Sequence, residues 1–101
     1  MPSSKDYLEF VLEHCSGLTF RSMMGEYVLY YGSKVIGGIY DNRFLVKPTK
    51  SALELIPDVR LELPYEGAKK MLLVENIEDE EFLKELLEAL YRDLLESQNK
   101  K

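Results

Sequence analysis

Apolar and polar positions alternate along this chain with two different periods. Between residues 4 and 16, Tyr7, Leu8, Val11, Leu12 and Cys15 recur at helical spacing and form one stripe. Asp6, Glu9 and Glu13 fall on the opposite arc, so the stretch predicts an amphipathic helix. Ser3 or Ser4 can cap its start, because a hydroxyl accepts a bond from an orphan backbone N–H, and Gly17 is a natural stop. The period then changes to two. Thr19–Met24, Glu26–Tyr31, Lys34–Tyr40 and Arg43–Lys47 read as strands. Gly32-Ser33 is a two-residue hairpin turn with Gly where positive φ is required, and Asp41-Asn42 is a second turn. Pro48 has no N–H to donate and ends this antiparallel meander.

Downstream, Thr49–Ile56 predicts a short helix with Thr49 as cap and Pro57 closing it. Leu61–Pro64 reads as extended or loop, and Lys70–Glu75, around Met71-Leu72-Leu73-Val74, as a strand. From Asp79 to Ser97, Phe82, Leu83, Leu86, Leu87, Leu90, Tyr91, Leu94 and Leu95 make a wide helical stripe. Glu80–Lys84 and Glu88–Arg92 are favourable i,i+4 pairs on it, and residues 97–101 read as a frayed tail. The sum is a single α+β domain over residues 1–101, two-layered, with an antiparallel meander sheet packed against N-terminal, middle and C-terminal helices.

Alternation also assigns the sheet faces. Val35, Ile39, Phe44 and Val46 share one face with Tyr27, Leu29 and Tyr31, which belongs under the helices. The other face then presents Glu26, Val28, Tyr30, Lys34, Ile36, Tyr40, Arg43, Leu45 and Lys47. It mixes aromatic, aliphatic and cationic groups. Three uses compete for it: cover by a helix, a dimer or partner surface, or base stacking on Tyr30 and Tyr40 with Arg43 and Lys47 on phosphate.

Charge weakens the last of these. The 101 residues carry 13 Lys+Arg and 18 Asp+Glu, for a net charge of −5. Residues 1–50 hold six basic and five acidic side chains, and residues 51–101 hold seven and thirteen. An acidic second half repels phosphate, so direct nucleic-acid binding is not expected. No apolar run reaches the roughly 20 residues that span a bilayer. Lys5, Asp6 and Glu9 interrupt the segment where a signal peptide needs apolar residues, which predicts a cytoplasmic protein without membrane partners. Cys15 is the only cysteine, so no internal disulfide forms.

Little in the chain suggests catalysis. His14 and Cys15 are the only residues of their types, but helix neighbours point about 100° apart and do not face one another. Cys15 sits on the apolar stripe and reads as a buried, inert thiol beside a boundary histidine. One His and one Cys are too few for a zinc site. Glu78-Asp79-Glu80-Glu81 is the densest acid run, and it lies where a helix N-terminus favours negative charge. The glycines form no phosphate-binding loop, and Gly37-Gly38, mid-strand, predicts a bulge or the close approach of a backbone or aromatic ring. No catalytic residues, metal ligands or cofactor sites are therefore assigned.

The segment Arg21-Ser22-Met23-Met24-Gly25-Glu26-Tyr27-Val28-Leu29-Tyr30, followed after a hairpin by Asp41-Asn42-Arg43-Phe44-Leu45-Val46-Lys47, resembles the N-terminal domain of the TfoX/Sxy competence regulators. Met71 and the acidic start of the last helix, Asp79 to Leu83, fit the same pattern, and Pro64–Lys70 resembles a subgroup variant of the segment before the last strand. Met24 stands where the family usually has an aromatic, and Glu26 and Val28 replace glycines. The resemblance covers about residues 10 to 95, and implies a two-layer α+β fold and an association with transcriptional control of DNA uptake. It supplies no catalytic residues. The expectation is a single-domain, non-enzymatic regulatory or interaction domain, acting as a homodimer or through a protein partner. Tyr30, Ile36, Tyr40, Arg43 and Lys47 form the candidate interaction surface. The alternative is a small-molecule-binding module, or an enzyme, with a pocket between sheet and helices.

Overall fold

A computed structural model describes residues 3–99 of the chain. The first helix, α1 (Lys5–His14), is capped by Ser4, whose hydroxyl accepts from the Tyr7 N–H at 3.1 Å. It is followed by β1 (Leu18–Met23), β2 (Glu26–Tyr31), β3 (Lys34–Ile39) and β4 (Phe44–Val46). Then come a short α2 (Lys50–Leu55), β5 (Leu61–Glu62), β6 (Met71–Val74) and a long α3 (Glu80–Asn99). The strands form one six-stranded antiparallel sheet in the order β1-β2-β3-β4-β6-β5. The α+β class predicted from the pattern is therefore the observed one. The meander is extended by β6, which inserts between β4 and the two-residue edge strand β5.

The turns explain the tight hairpins. Asp41 and Asn42 have φ of 54° and 57°, and Tyr40 and Arg43 on either side exchange backbone bonds of 2.9 and 3.0 Å. That is a type I′ turn, which needs positive φ at both central residues and tolerates Asp and Asn there. The β1–β2 turn has the same form, with Met24 at φ 53° and Gly25 at φ 85°. The two turns and the N-terminus are tied by Glu26, whose carboxylate accepts from the Ser3 N–H (3.0 Å), the Ser3 hydroxyl (2.6 Å) and the Asp41 N–H.

The helices cover one face. Leu8 and Val11 of α1, Ala52 of α2, and Leu83, Leu86, Leu87 and Leu90 of α3 pack on Leu29, Ile39, Phe44, Val46, Leu72 and Val74. Each fully buried aliphatic side chain contributes roughly 1.5–3 kcal/mol through removal of apolar area from water. Ile36 belongs to this core and is 0% exposed, which corrects its expected place on the opposite face. The cause is a register shift in β3. Tyr30 pairs with Val35 and Leu29 with Gly37, which leaves Ile36 as an extra residue. A bulge breaks the two-residue period, so Ile36 turns inward and Val35, expected in the core, shares the row of Tyr30.

Three further expectations change. Helix α1 ends at His14, with Cys15 as its C-cap, rather than continuing to residue 16. Helix α3 runs on through Asn99, so residues 97–99 are helical, and the rest of the expected tail, residues 100–101, lies outside the described residues. Glu80–Lys84 and Glu88–Arg92 are not among the ion pairs of the described residues, which join Arg43 to Glu62 and Arg60 to Asp58. Exposed pairs of that kind gain little from closing.

Candidate functional site

The face of the sheet away from the helices is not bare. Register places Arg21, Val28, Gly38, Leu45 and Leu73 in one row across it. Leu45 is 0% exposed yet lies outside the helix-side core, so a second, smaller buried patch exists here. Tyr40, Pro64 and Tyr65 line a common cleft at this end of the sheet. A Cβ on Gly38 would lie 2.6 Å from the Tyr40 ring, so the ring lies over that glycine. On the other side, a Cβ on Gly37 would collide with the Leu45 carbonyl and come within 2.7 Å of Val46 Cα. The glycine pair thus allows both a bare backbone contact and an aromatic ring, and it adjoins the bulge.

Arg43 holds the covering loop in place. Its Nε donates to Tyr40 O at 3.1 Å, its Nη1 to Glu62 Oε1 at 2.7 Å, and its Nη2 to Leu63 O at 3.0 Å. Loop 63–70 then turns back at Tyr65–Ala68, where the Ala68 N–H bonds Tyr65 O at 3.2 Å. Gly67 sits at the third position with φ 90°, where a type II turn needs positive φ. The Tyr40 and Tyr65 rings meet at 6.0 Å with their planes tilted by 54°. Burial pushes the Tyr40 hydroxyl above the ordinary phenol range, and nearby Tyr65 and Glu26 add to the shift.

Between this loop and the sheet lies a cleft of about 370 Å³, lined by Tyr40, Lys47, Pro48, Pro64, Tyr65, Ala68, Lys69, Lys70 and Met71. None of these residues is acidic, although the chain is net −5. Four other clefts contain carboxylates. One holds Asp58 and Glu75, a second His14, Glu80 and Glu81, a third Glu75, Glu78 and Asp79, and a fourth Asp93 and Glu96. Positive charge and aromatic surface are therefore concentrated at one place.

Of the candidate surface, Tyr40 and Lys47 line this cleft. Arg43 adjoins it but is committed to the loop, and Ile36 is in the core. Tyr30 lies in the row of Thr19 and Val35, outside the cleft lining. Tyr65, Lys69 and Lys70 were missed because they lie on a loop, where side-chain period carries no information. The only signal was the clustering of an aromatic and two lysines between Pro64 and Met71.

The other groups of reactive type lie apart from this cleft. Cys15 is 2% exposed, and burial, with Glu80 nearby, pushes its thiol up to about 12. It is buried, as expected of its place on the stripe. His14 sits at the boundary, with Nδ1 3.0 Å from Phe10 O and Nε2 3.9 Å from Glu80. In the acid run, Asp79 accepts from the Phe82 N–H at 3.2 Å at the start of α3. Among the described residues, no three His, Cys, Asp or Glu side chains come together as metal ligands. No described helix is long and apolar enough to cross a membrane.

Comparison with known proteins gives one relative. The chain is 34% identical over 84 residues to an uncharacterized 12.7 kDa protein in the trpE 5′ region of Spirochaeta aurantia, a match covering 79% of this chain and 72% of that protein. No family model matches the chain, and no solved structure matches it significantly.

Proposed function

We propose a function for a chain that belongs to one family with the uncharacterized 12.7 kDa protein of Spirochaeta aurantia: a non-enzymatic, cytoplasmic interaction domain working in regulation. The regulatory setting comes from the resemblance to the TfoX/Sxy N-terminal domain. The surface comes from the cleft, and the gathering of Lys47, Lys69 and Lys70 with Tyr40 and Tyr65 in a lining that contains no carboxylate carries the reading. Such a surface suits an acidic segment of a partner protein, with apolar side chains on the rings and carboxylates on the ammonium groups. Charge of this kind sets orientation and encounter rate more than raw affinity.

A synthetic Glu- and Leu-rich peptide, titrated into isotope-labelled protein, tests this. Amide shifts should cluster at Tyr40, Lys47 and Tyr65–Met71. They should vanish in the Lys47→Glu, Lys69→Glu, Lys70→Glu variant and weaken with added salt. Shifts elsewhere, or none, would remove the cleft as the interaction site. The volume of about 370 Å³ also favours a second reading, a small aromatic anion, because it falls in the range of small-ligand pockets. Phenyl phosphate moving the same amides where the peptide does not would select that reading.

A further inference from the structure

The two edges of the sheet are treated differently. Edge strand β5 is two residues long, preceded by Arg60, followed closely by Pro64, and its Glu62 is held by Arg43. Those are devices that blunt an edge. Edge strand β1 carries only one such feature, the single charge of Arg21. It is six residues, Leu18-Thr19-Phe20-Arg21-Ser22-Met23, without Pro, Lys or a bulge, and Thr19 to Met23 are all exposed. Phe20 is 44% exposed on the helix side, packed edge-on against Tyr27 at 5.8 Å.

The register shows which backbone groups are free. The β1–β2 hairpin closes on Met23–Glu26 around a two-residue turn, so Met23, Arg21 and Thr19 exchange bonds with β2. Phe20 and Ser22 therefore point their N–H and C=O outward. Leu18 also points outward, but its N–H is already given to Cys15 O at 3.4 Å.

We propose that β1 pairs antiparallel with β1 of a second copy of this chain, with the two-fold axis at Phe20, joining two sheets into one. Opposed residues in an antiparallel pair lie on the same face, so a two-fold axis must pass through a residue pair. An axis at Arg21 sets two guanidinium groups opposite each other. An axis at Ser22 brings Phe20 against Met24, which is in the turn. The axis at Phe20 sets Phe20 against Phe20, Thr19 against Arg21 and Leu18 against Ser22, with no like charges opposed. It forms about four new backbone hydrogen bonds from groups that otherwise face water. It also brings a second aromatic ring against Phe20 from the free edge, on the sheet face where Phe20 meets Tyr27 from β2. Because the β5 edge is closed, assembly stops at two copies and does not extend into a filament. This surface is separate from the cleft, and the pairing holds whether or not the cleft takes a ligand.

The test is molar mass by sedimentation equilibrium over a concentration series, together with cysteine cross-linking. The protein should approach twice its 11.7 kDa mass. Phe20→Lys and Ser22→Pro, one adding charge on the axis and one removing an outward N–H, should each raise the dimer dissociation constant at least a hundredfold. Far-UV circular dichroism checks that they fold, and Arg21→Lys serves as a variant that leaves the mass unchanged. In a Cys15→Ala background, Phe20→Cys should form an intermolecular disulfide in mild oxidant and Thr19→Cys should not. Opposed Cα atoms at the axis fall within disulfide reach, and the two Thr19 positions lie outside it. A monomer at every concentration overturns the proposal. So does a dimer that survives both Phe20→Lys and Ser22→Pro, and faster linking through Thr19→Cys overturns the register.

Discussion

Adjacent residues Val35 and Ile36 give a sharp test of the β3 bulge. Under strict alternation Val35 would be in the core and Ile36 on the far face. In the structure Ile36 is fully buried among the helix-side residues, and Val35 is half-buried outside that cluster. Ile36→Ala removes three carbons from a packed site and should cost about 2–5 kcal/mol, made of lost transfer energy and the cavity left behind. Val35→Ala should cost under about 1 kcal/mol, as expected for a half-exposed position. A domain of this size has a total stability of about 5–15 kcal/mol, so Ile36→Ala consumes a large share. With about 4–8 °C of melting temperature per kcal/mol, the first variant should lose at least about 8 °C and the second clearly less. Urea unfolding followed by circular dichroism measures both, and similar m-values would show that the comparison is between like states. If Val35→Ala proved equal to or worse than Ile36→Ala, the bulge and the face assignments built on it would be wrong.

Three other outcomes follow from named contacts. Arg43→Met should loosen loop 63–70 while the helix-side core stays protected, because it removes the bonds to Glu62 and Leu63 O. Hydrogen exchange should accelerate for residues 61–70, with a global cost of about 1–2 kcal/mol, and uniform acceleration would contradict the clamp. In alkali, Cys15, raised from 9.0 to about 12, stabilises fully below the lower value. That contribution, at most about 4 kcal/mol, disappears as pH rises through the folded value, because the unfolded thiol ionises first. Cys15→Ala should therefore flatten the fall in stability at about pH 9–10, before tyrosines titrate, and an unchanged slope would count against it. For Asp93, burial raises the pKa, but bonds from the Ser51 N–H and hydroxyl at 2.9 Å, with the Thr49 hydroxyl and Arg92 nearby, lower it overall. Its contribution is present above the unfolded carboxylate value and lost as pH falls through the folded one. Asp93→Asn should remove that acid-side slope, and an identical acid midpoint would rule out the α2–α3 tie as its source.

The limits of sequence reading here are physical. Helical stripes and the hairpins at Gly32-Ser33 and Asp41-Asn42 were legible because local φ preference and side-chain period act over a few residues. The bulge at Ile36 was not, since one inserted residue reverses every face assignment before it and leaves composition untouched. Gly37-Gly38 hinted at the irregularity without giving its direction. The cleft was half legible. Tyr40 and Lys47 lie at the ends of predicted strands, whereas Tyr65, Lys69 and Lys70 reach them only through loop 63–70. Arg43 looked like an available cation because nothing local reveals that Glu62 and Leu63 O, about twenty positions on, occupy it.

The placement of β6 between β4 and β5 has a consequence for how the chain is made. Strand β4, Phe44-Leu45-Val46, is fully buried in the finished sheet, but its second neighbour is residues 71–74. The meander up to β4 can close on local contacts, while the outer side of β4 waits for that later segment. At a synthesis rate of 5–20 residues per second, a newly emerged β4 stays open for about 1–6 s before its partner follows. During that interval the one described strand buried at every position is an open template on that side, so yield in the cell should depend on translation speed between residues 47 and 74. A cluster of slow codons there should increase aggregation of the nascent chain without changing the stability of the folded product.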